Sequence, residues 1–174
     1  MDVNVRAAIW PPIETQRLHI RAPTAADAGA LFALHSDPDY IAFVGERVSR
    51  DKFDSIFARE LDGTSTILAL PICERVEGQI VGECAVVPST VREVEIVIAL
   101  LPGHRGNRYS AEIARALIDT CLASSAIDTV IACVEDTNAR AIRLVEMIGM
   151  TRDGVTPRSG KAPLRYEAKR VADA

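Results

Sequence analysis

The segment PGHRGNRYSAE, residues 102–112, sets two arginines around a glycine, directly after an apolar stretch and directly before a run of helical character. A helix N-terminus carries unpaired backbone N–H groups and a partial positive charge. A loop of small residues lets an anion reach those donors. Gly106 removes a Cβ from such a loop and Ser110 is small, while Arg105 and Arg108 add forked donors suited to phosphate. The chemistry on offer is a pyrophosphate cradle; a surface turn with two solvated arginines is the competing reading, since short glycine motifs are common. Neither G-x-x-x-x-G-K-[ST] nor G-x-G-x-x-G occurs, which sets aside two familiar nucleotide loops. Just upstream, REVEIVIALL (92–101) alternates as a strand. Glu93 and Glu95 fall on one side with Val97 and Ala99, and Val94, Ile96, Ile98 and Leu100 fall on the other. Two carboxylates on one strand face are either a solvated outer face or, if buried, groups whose pKa rises toward a useful value.

Elements must position these residues. RLHIR (17–21) alternates as a short strand, after an extended lead-in over residues 1–16 broken by Pro11 and Pro12. Thr24 and Asp27 form a capping-box pattern, followed by Ala28, Leu31, Phe32 and His35 at helical spacing, and SDPD (36–39) ends that helix. A second helix is predicted from Ser49, with Phe53, Ile56, Phe57 and Leu61 as its apolar stripe. STILALPIC (65–73) and QIVGECAVV (79–87) read as an antiparallel hairpin joined through VEG. A helix over 109–124 follows the glycine loop, then TVIACV (129–134) as a central strand. EDTN (135–138) offers caps for a helix whose stripe is Ala141, Leu144, Val145 and Ile148, with Gly149 at its end. Residues 150–156 and 163–170 make two closing strands around PRSGKAP, and the last residues fray.

The 174 residues suit one domain over 1–174 with a real core. Apolar residues make up 48% and charged residues 25%, as in an ordinary globular chain. A net charge of -4 argues against a broad nucleic-acid surface. No apolar run reaches the roughly 20 residues of a membrane span, and no secretory leader is evident, so the expected location is cytoplasmic. Cys73, Cys84, Cys121 and Cys133 are scattered among apolar neighbours as buried thiols, and no cluster suggests a metal.

Taken in order, the segments resemble the GNAT acyltransferase superfamily, in particular the branch similar to ribosomal-protein N-terminal acetyltransferases. TQRLHIRAPTAAD (15–27) is similar to that branch's opening T-x-RL-x-LR…D, and SDPDYIAFVG (36–45) to its next segment. GQIVGECAV (78–86) resembles the G-x-x-IG hairpin strand. EIVIALLPGHRGNRYSAEIARALI (95–118) resembles the acetyl-CoA motif, and NARAIRLVEMIGM (138–150) the helix after it. The resemblance covers roughly residues 15–156. It implies an α/β (α+β) fold: a mixed, mostly antiparallel sheet with about four flanking helices, splayed open between its fourth and fifth strands, here 92–101 and 129–134. Acetyl-CoA, with no metal, would lie in the splay, its pantetheine arm pairing like an extra strand with Leu100 and Leu101. Arg105, Gly106, Asn107, Arg108, Tyr109 and Ser110 would hold the pyrophosphate. Asn138 would bond the pantetheine amides or serve as a plain N-cap. Arg143 would lie near the coenzyme phosphates or in solvent.

The resemblance further implies acetyl transfer to a primary amine, a protein N-terminus or a small molecule. Glu95, at a position where relatives often carry an acid, is the first candidate catalytic base; Glu93 is the second, and Glu83 on the neighbouring strand could share the role. The chain departs from the family pattern in several places. Arg108 replaces the second glycine usual in the loop; Ala141 stands for a frequent serine, Val145 for a frequent tyrosine, and Val97-Ile98 for a frequent Gly-Tyr pair. The coenzyme site is therefore more intact than the catalytic one. A coenzyme-binding or interaction module without turnover is the rival reading, and the sequence leaves monomer and homodimer both open.

Overall fold

The computed structural model describes residues 4–9, 12–43, 47–157 and 162–170. Expectations for Pro11, for Val44 and Gly45, for most of the PRSGKAP loop and for the last four residues fall outside them. The elements run α1 (Val5–Ala8), β1 (Ile13–Glu14), β2 (Leu18–Ile20), α2 (Ala28–His35), α3 (Pro38–Phe43), α4 (Arg50–Asp62), β3 (Leu68–Glu74), β4 (Ile80–Thr90), β5 (Glu93–Leu100), α5 (Tyr109–Ala123), β6 (Thr129–Val134), α6 (Ala139–Met147), β7 (Thr151–Val155) and β8 (Leu164–Lys169). Short 3-10 turns precede α2 (Ala25–Asp27) and follow β5 (Pro102–His104).

The eight strands form one sheet in the order β1-β2-β3-β4-β5-β6-β8-β7. Every neighbouring pair is antiparallel except β5 and β6. Those two run parallel and pair at Glu93–Thr129, Val94–Val130 and Glu95–Ile131 alone. Past that point β5 stays on β4 as far as the Leu100–Gly82 pair, and β6 stays on β8 as far as Val134–Leu164. The sheet therefore opens between them, the splay that the resemblance implies.

The main core joins Val94, Ile96 and Leu100 of β5 to Ile113, Leu117 and Cys121 of α5, with Val130 and Ala132 of β6 and Val145 of α6. A smaller cluster holds Leu31, Phe53 and Phe57 against Ile80. Ile80 joins the small cluster while Val81 joins the main core, so the two lie on opposite faces of β4. Among the described residues, no helix is long and apolar enough to cross a membrane.

The hairpin, the capping box and the boundaries of α5 and β6 follow the sequence pattern. Asp27 accepts from the Thr24 N–H at 2.7 Å and from both ends of the Arg21 guanidinium at 2.7 Å. Ser49 caps α4, accepting from the Lys52 N–H. Three expectations differ. Six helices are described rather than about four, the additions being α1 and α3. The lead-in is not simply extended: it holds α1, whose Arg6 reaches Glu60 at 3.2 Å. In α4 the stripe turns slightly, so that Glu60 is buried and Ile56 and Leu61 are exposed. Burial pushes the Glu60 carboxyl above its ordinary value, and the Arg6 charge works against that.

Gly82 decides how closely β4 approaches β5. A Cβ there would sit 2.2 Å from the Ala99 carbonyl oxygen and 2.9 Å from Leu100 Cδ2. Neither backbone can yield without breaking the ladder. Gly82→Ala is expected to cost about 1–3 kcal/mol in urea unfolding, the usual penalty of overpacking. A loss below about 0.5 kcal/mol, typical of a surface change, would show that β5 tolerates displacement.

Candidate functional site

The opening between β5 and β6 leads into a cleft of about 620 Å³. Its walls come from Ile98, Ala99 and Leu100 of β5, from the loop at Arg105, Gly106 and Arg108, and from the start of α5 at Tyr109, Ser110 and Ala111. α6 contributes Asn138, Arg140, Ala141, Leu144 and Met147, and α3 contributes Asp39, Tyr40 and Phe43.

Backbone chemistry gives this cleft its character. The Leu101 N–H donates to Val81 O at 2.9 Å, so Leu101 points its polar groups at β4. Antiparallel pairing alternates, so Leu100 and Ile98 turn theirs the other way, toward the opening. Of the expected pair, Leu101 donates its N–H to β4, while Leu100 faces the opening beside Ile98. The loop then coils outward. Gly106 has φ 89 and Arg108 has φ 60, both left-handed. Nothing would meet a Cβ at Gly106, so the glycine is required by its dihedral angle rather than by crowding within the protein. The Glu112 N–H closes the first turn of α5 on Arg108 O at 3.3 Å. The N–H groups of Tyr109, Ser110 and Ala111 precede that bond, as the open donors of a helix start. This is an anion-binding arrangement on a 15-residue helix.

Residues far away in sequence fix that helix start. Glu112 accepts from Thr15 Oγ1 at 2.6 Å, from the Arg17 N–H at 2.8 Å and from Arg17 Nε at 2.8 Å. Arg17 also donates to Asn107 O at 3.0 Å and lies 4.6 Å from the Tyr109 ring centroid. The Tyr109 hydroxyl donates to Glu74 at 2.9 Å. The T-x-RL segment thus acts as a brace beneath the loop. Burial opposes ionisation of Glu112, yet these hydrogen bonds prevail and hold its carboxyl below the ordinary range.

The candidate residues divide as follows. Leu100, Arg105, Gly106, Arg108, Tyr109, Ser110 and Asn138 line the cleft; Leu101, Asn107 and Arg143 do not. Arg140 lines it where Arg143 was expected; Arg140, Leu144 and Met147 at helical spacing give the signal that could have found it. Asn138 caps α6, accepting from the Ala141 N–H at 3.1 Å, which leaves its amide NH₂ for other work. Arg105 is held by acidic side chains: Nη1 donates to Asp39 at 2.7 Å, Nη2 to Asp37, and Nε to Leu100 O at 3.0 Å.

The carboxylates also separate. Glu95 is 6% exposed, between Val87 of β4 and Ile131 of β6, so it does not belong to a solvated face. Glu93 is engaged by Arg165 at 2.9 Å and by the Ser89 hydroxyl at 3.0 Å. Arg165 holds the Glu93 carboxyl below its ordinary value, which makes it a poor base. Glu83 meets His35 Nε2 at 2.8 Å, and Tyr40 stacks on the His35 ring at 4.5 Å between centroids. Burial, helped by the Glu83 charge, pushes the Tyr40 phenol above its ordinary value. Sequence reasoning placed His35 merely in a helix stripe and missed this cluster. Of the departures, Ala141 lines the cleft and Val145 is buried in the core.

Two outcomes are expected. Glu112 has a depressed folded-state pKa, so the stability it contributes is present above its unfolded value of 4.5 and is lost as pH falls through the folded value. Glu112→Gln should lower Tm at pH 7 and flatten the acid limb of stability below its ordinary value of 4.5; an unchanged limb would remove Glu112 from the account. Arg108→Gly should relieve a left-handed strain of roughly 1–2 kcal/mol and raise Tm, while weakening coenzyme A binding and its salt sensitivity. Tighter binding in calorimetry would show Arg108 to be an obstruction rather than an added cation.

Comparisons with known proteins fit this geometry. The acetyltransferase (GNAT) domain family matches residues 17–151. The Bacillus subtilis (strain 168) uncharacterized protein YkkB is 27% identical over 161 residues, covering 89% of this chain and 94% of its own. An acetyltransferase structure from Agrobacterium tumefaciens superposes with a TM-score of 0.77 at 27% identity, covering 91% of this chain and 94% of that one. The fold is also that of a Vibrio cholerae spermidine N-acetyltransferase, solved with CoA and spermine, at a TM-score of 0.76 and 15% identity, covering 88% and 95%.

Proposed function

The chain belongs to the GNAT acetyltransferase family, and on that premise we propose that it transfers the acetyl group of acetyl-CoA directly to a primary amine. One observation carries the reading: the outward-facing backbone of Ile98 and Leu100 and the open N–H groups at the start of α5 border one cleft. A linear ligand with an amide-bearing arm and a pyrophosphate fits such a groove. The pyrophosphate would rest on the Tyr109, Ser110 and Ala111 N–H groups with Arg108 beside it. The pantetheine amides would pair with Ile98 and Leu100 as an added strand, and the Asn138 amide would close on them from α6.

The chemistry needs a neutral amine. An alkylamine has a pKa of about 10 and an α-amine about 8, so a proton must leave first. Glu95, on β5 and away from bulk water, would take it through a bridging water. The nitrogen lone pair then attacks the thioester carbonyl, whose oxygen is polarised by a β5 N–H. The C–N bond forms, the nitrogen gives its second proton to the bridging water, the C–S bond breaks, and the thiolate takes a proton from water. Glu93 is left out because the Arg165 guanidinium lowers its basicity and occupies its carboxylate. An α-amine at a protein N-terminus asks least of the base, and small amines remain within the same chemistry.

One specific feature favours a second reading, a coenzyme-binding module without turnover: Ala141 in the cleft wall and Val145 in the core carry no proton. Thiol release from acetyl-CoA, followed over a panel of peptides with free N-termini, polyamines and aminoglycosides, separates the two. Release with at least one amine supports transfer, and coenzyme A binding with no release on the whole panel supports the module. For the amine that reacts, Glu95→Gln should lower kcat by about 10²–10⁴-fold at pH 7 with coenzyme affinity retained. The deficit should shrink at high pH, where more amine is already neutral. An equal rate would remove Glu95 from the proton path.

A further inference from the structure

Arg105 sits where the loop after β5 meets α3 in the cleft wall, and its bonding is unlike that of a phosphate ligand. Its Nε–H is spent on Leu100 O at 3.0 Å, and its two terminal nitrogens on Asp39 at 2.7 Å and on Asp37. One guanidinium against two carboxylates leaves the group with a net negative charge, which repels pyrophosphate. Asp37 does a second job with the same oxygen: Oδ1 accepts from the Asp39 N–H at 3.1 Å and the Tyr40 N–H at 3.2 Å, capping α3. α3 is only six residues long and buries none of them fully. A helix so short has little stability of its own. It nevertheless places Tyr40 and Phe43 in the cleft wall.

We propose that Arg105 is a positioning residue, a clasp that ties the loop after β5 to Asp37 and Asp39 and so holds α3, with Tyr40 and Phe43, as one wall of the coenzyme cleft. The proposal rests on the cleft binding acetyl-CoA. It gives the SDPD segment a physical role, in which Asp37 and Asp39 carry the charge and Pro38 opens the helix between them. It also makes the two halves of the cleft interdependent, because the same guanidinium orients the end of β5 and the helix facing it.

Calorimetry with coenzyme A separates a clasp from a phosphate contact. Asp37→Asn with Asp39→Asn keeps size, and asparagine still caps helices well, but the ion pairs are gone. A phosphate-binding arginine, freed from two negative charges, would then bind coenzyme A more tightly. A clasp predicts the reverse, weaker binding by about tenfold despite the lost repulsion. Arg105→Lys is the conservative variant: a point charge suffices for a phosphate contact but cannot reproduce a three-way fork. It should therefore bind as weakly as Arg105→Gln, and neither should alter the slope of affinity against salt. Asp39→Asn alone, at an exposed side chain, gives the same direction with a smaller change should the double variant fold poorly. Tighter or unchanged binding in the aspartate variants with melting temperature retained, or rescue by lysine, overturns the clasp. A wild-type protein that binds no coenzyme A overturns the parent reading as well, an outcome distinct from wild type and variants binding alike.

Discussion

Two parallel strands that pair for three residues and then part are the constraint on which the rest of this structure depends. β5 and β6 separate after Glu95 and Ile131, in the middle of the sheet rather than at its edge. Backbone donors and acceptors in such a place must find partners, because buried ones left unpaired cost several times the net worth of a hydrogen bond. On β6 the far side is satisfied by β8. On β5 the near side is satisfied by β4, and Leu100 O is satisfied by Arg105. The groups that still face the opening make a partial strand edge within the fold. An extended amide-bearing ligand suits it as a partner strand would.

The surroundings preserve that edge. Gly82 lets β4 press close enough to hold β5 in place. Gly106 and Arg108 coil the loop so that the start of α5 faces the same cleft as the strand edge. Thr15 and Arg17, between β1 and β2 at one edge of the sheet, brace the helix start through Glu112. Most of the charge near the site is already committed to such bonds. Arg17, Arg105 and Arg165 each have carboxylate partners. Arg108, Arg140 and the N–H groups of α5 are left as the cleft features best disposed toward an anion.

Much of this was legible in the sequence, and the rest was hidden for identifiable reasons. β5, α5 and β6 could be read because alternation, a helical stripe and a continuous apolar run are local signals. The order of motifs also gave the splay, and residues 17–151 match the family it points to. α1 and α3 escaped because neither has a stripe long enough to show a period; Arg6–Glu60 and Arg105–Asp37 hold them through contacts over 50 residues apart. The same distance hid the Glu93–Arg165 pair, so Glu93 stood as second candidate behind Glu95 with nothing in the sequence to show it engaged. Arg105 reads as a phosphate ligand by type and position, and its bonds to Asp37 and Asp39 cannot be read from its neighbours in sequence. The register of β4 against β5, which turns Leu101 toward β4 and Ile98 toward the opening, is a property of the folded pair and so was not legible.

Hydrogen exchange at the β5 amides tests the central claim most directly. With acetyl-CoA bound, the amides of Ile98 and Leu100 should exchange markedly more slowly than in the free protein, together with those of Tyr109, Ser110 and Ala111. Leu101, already bonded to Val81, should change little. Saturating acetyl-CoA that protects none of these amides, or protects only residues elsewhere, would contradict the claim that the parted strand is the coenzyme's partner.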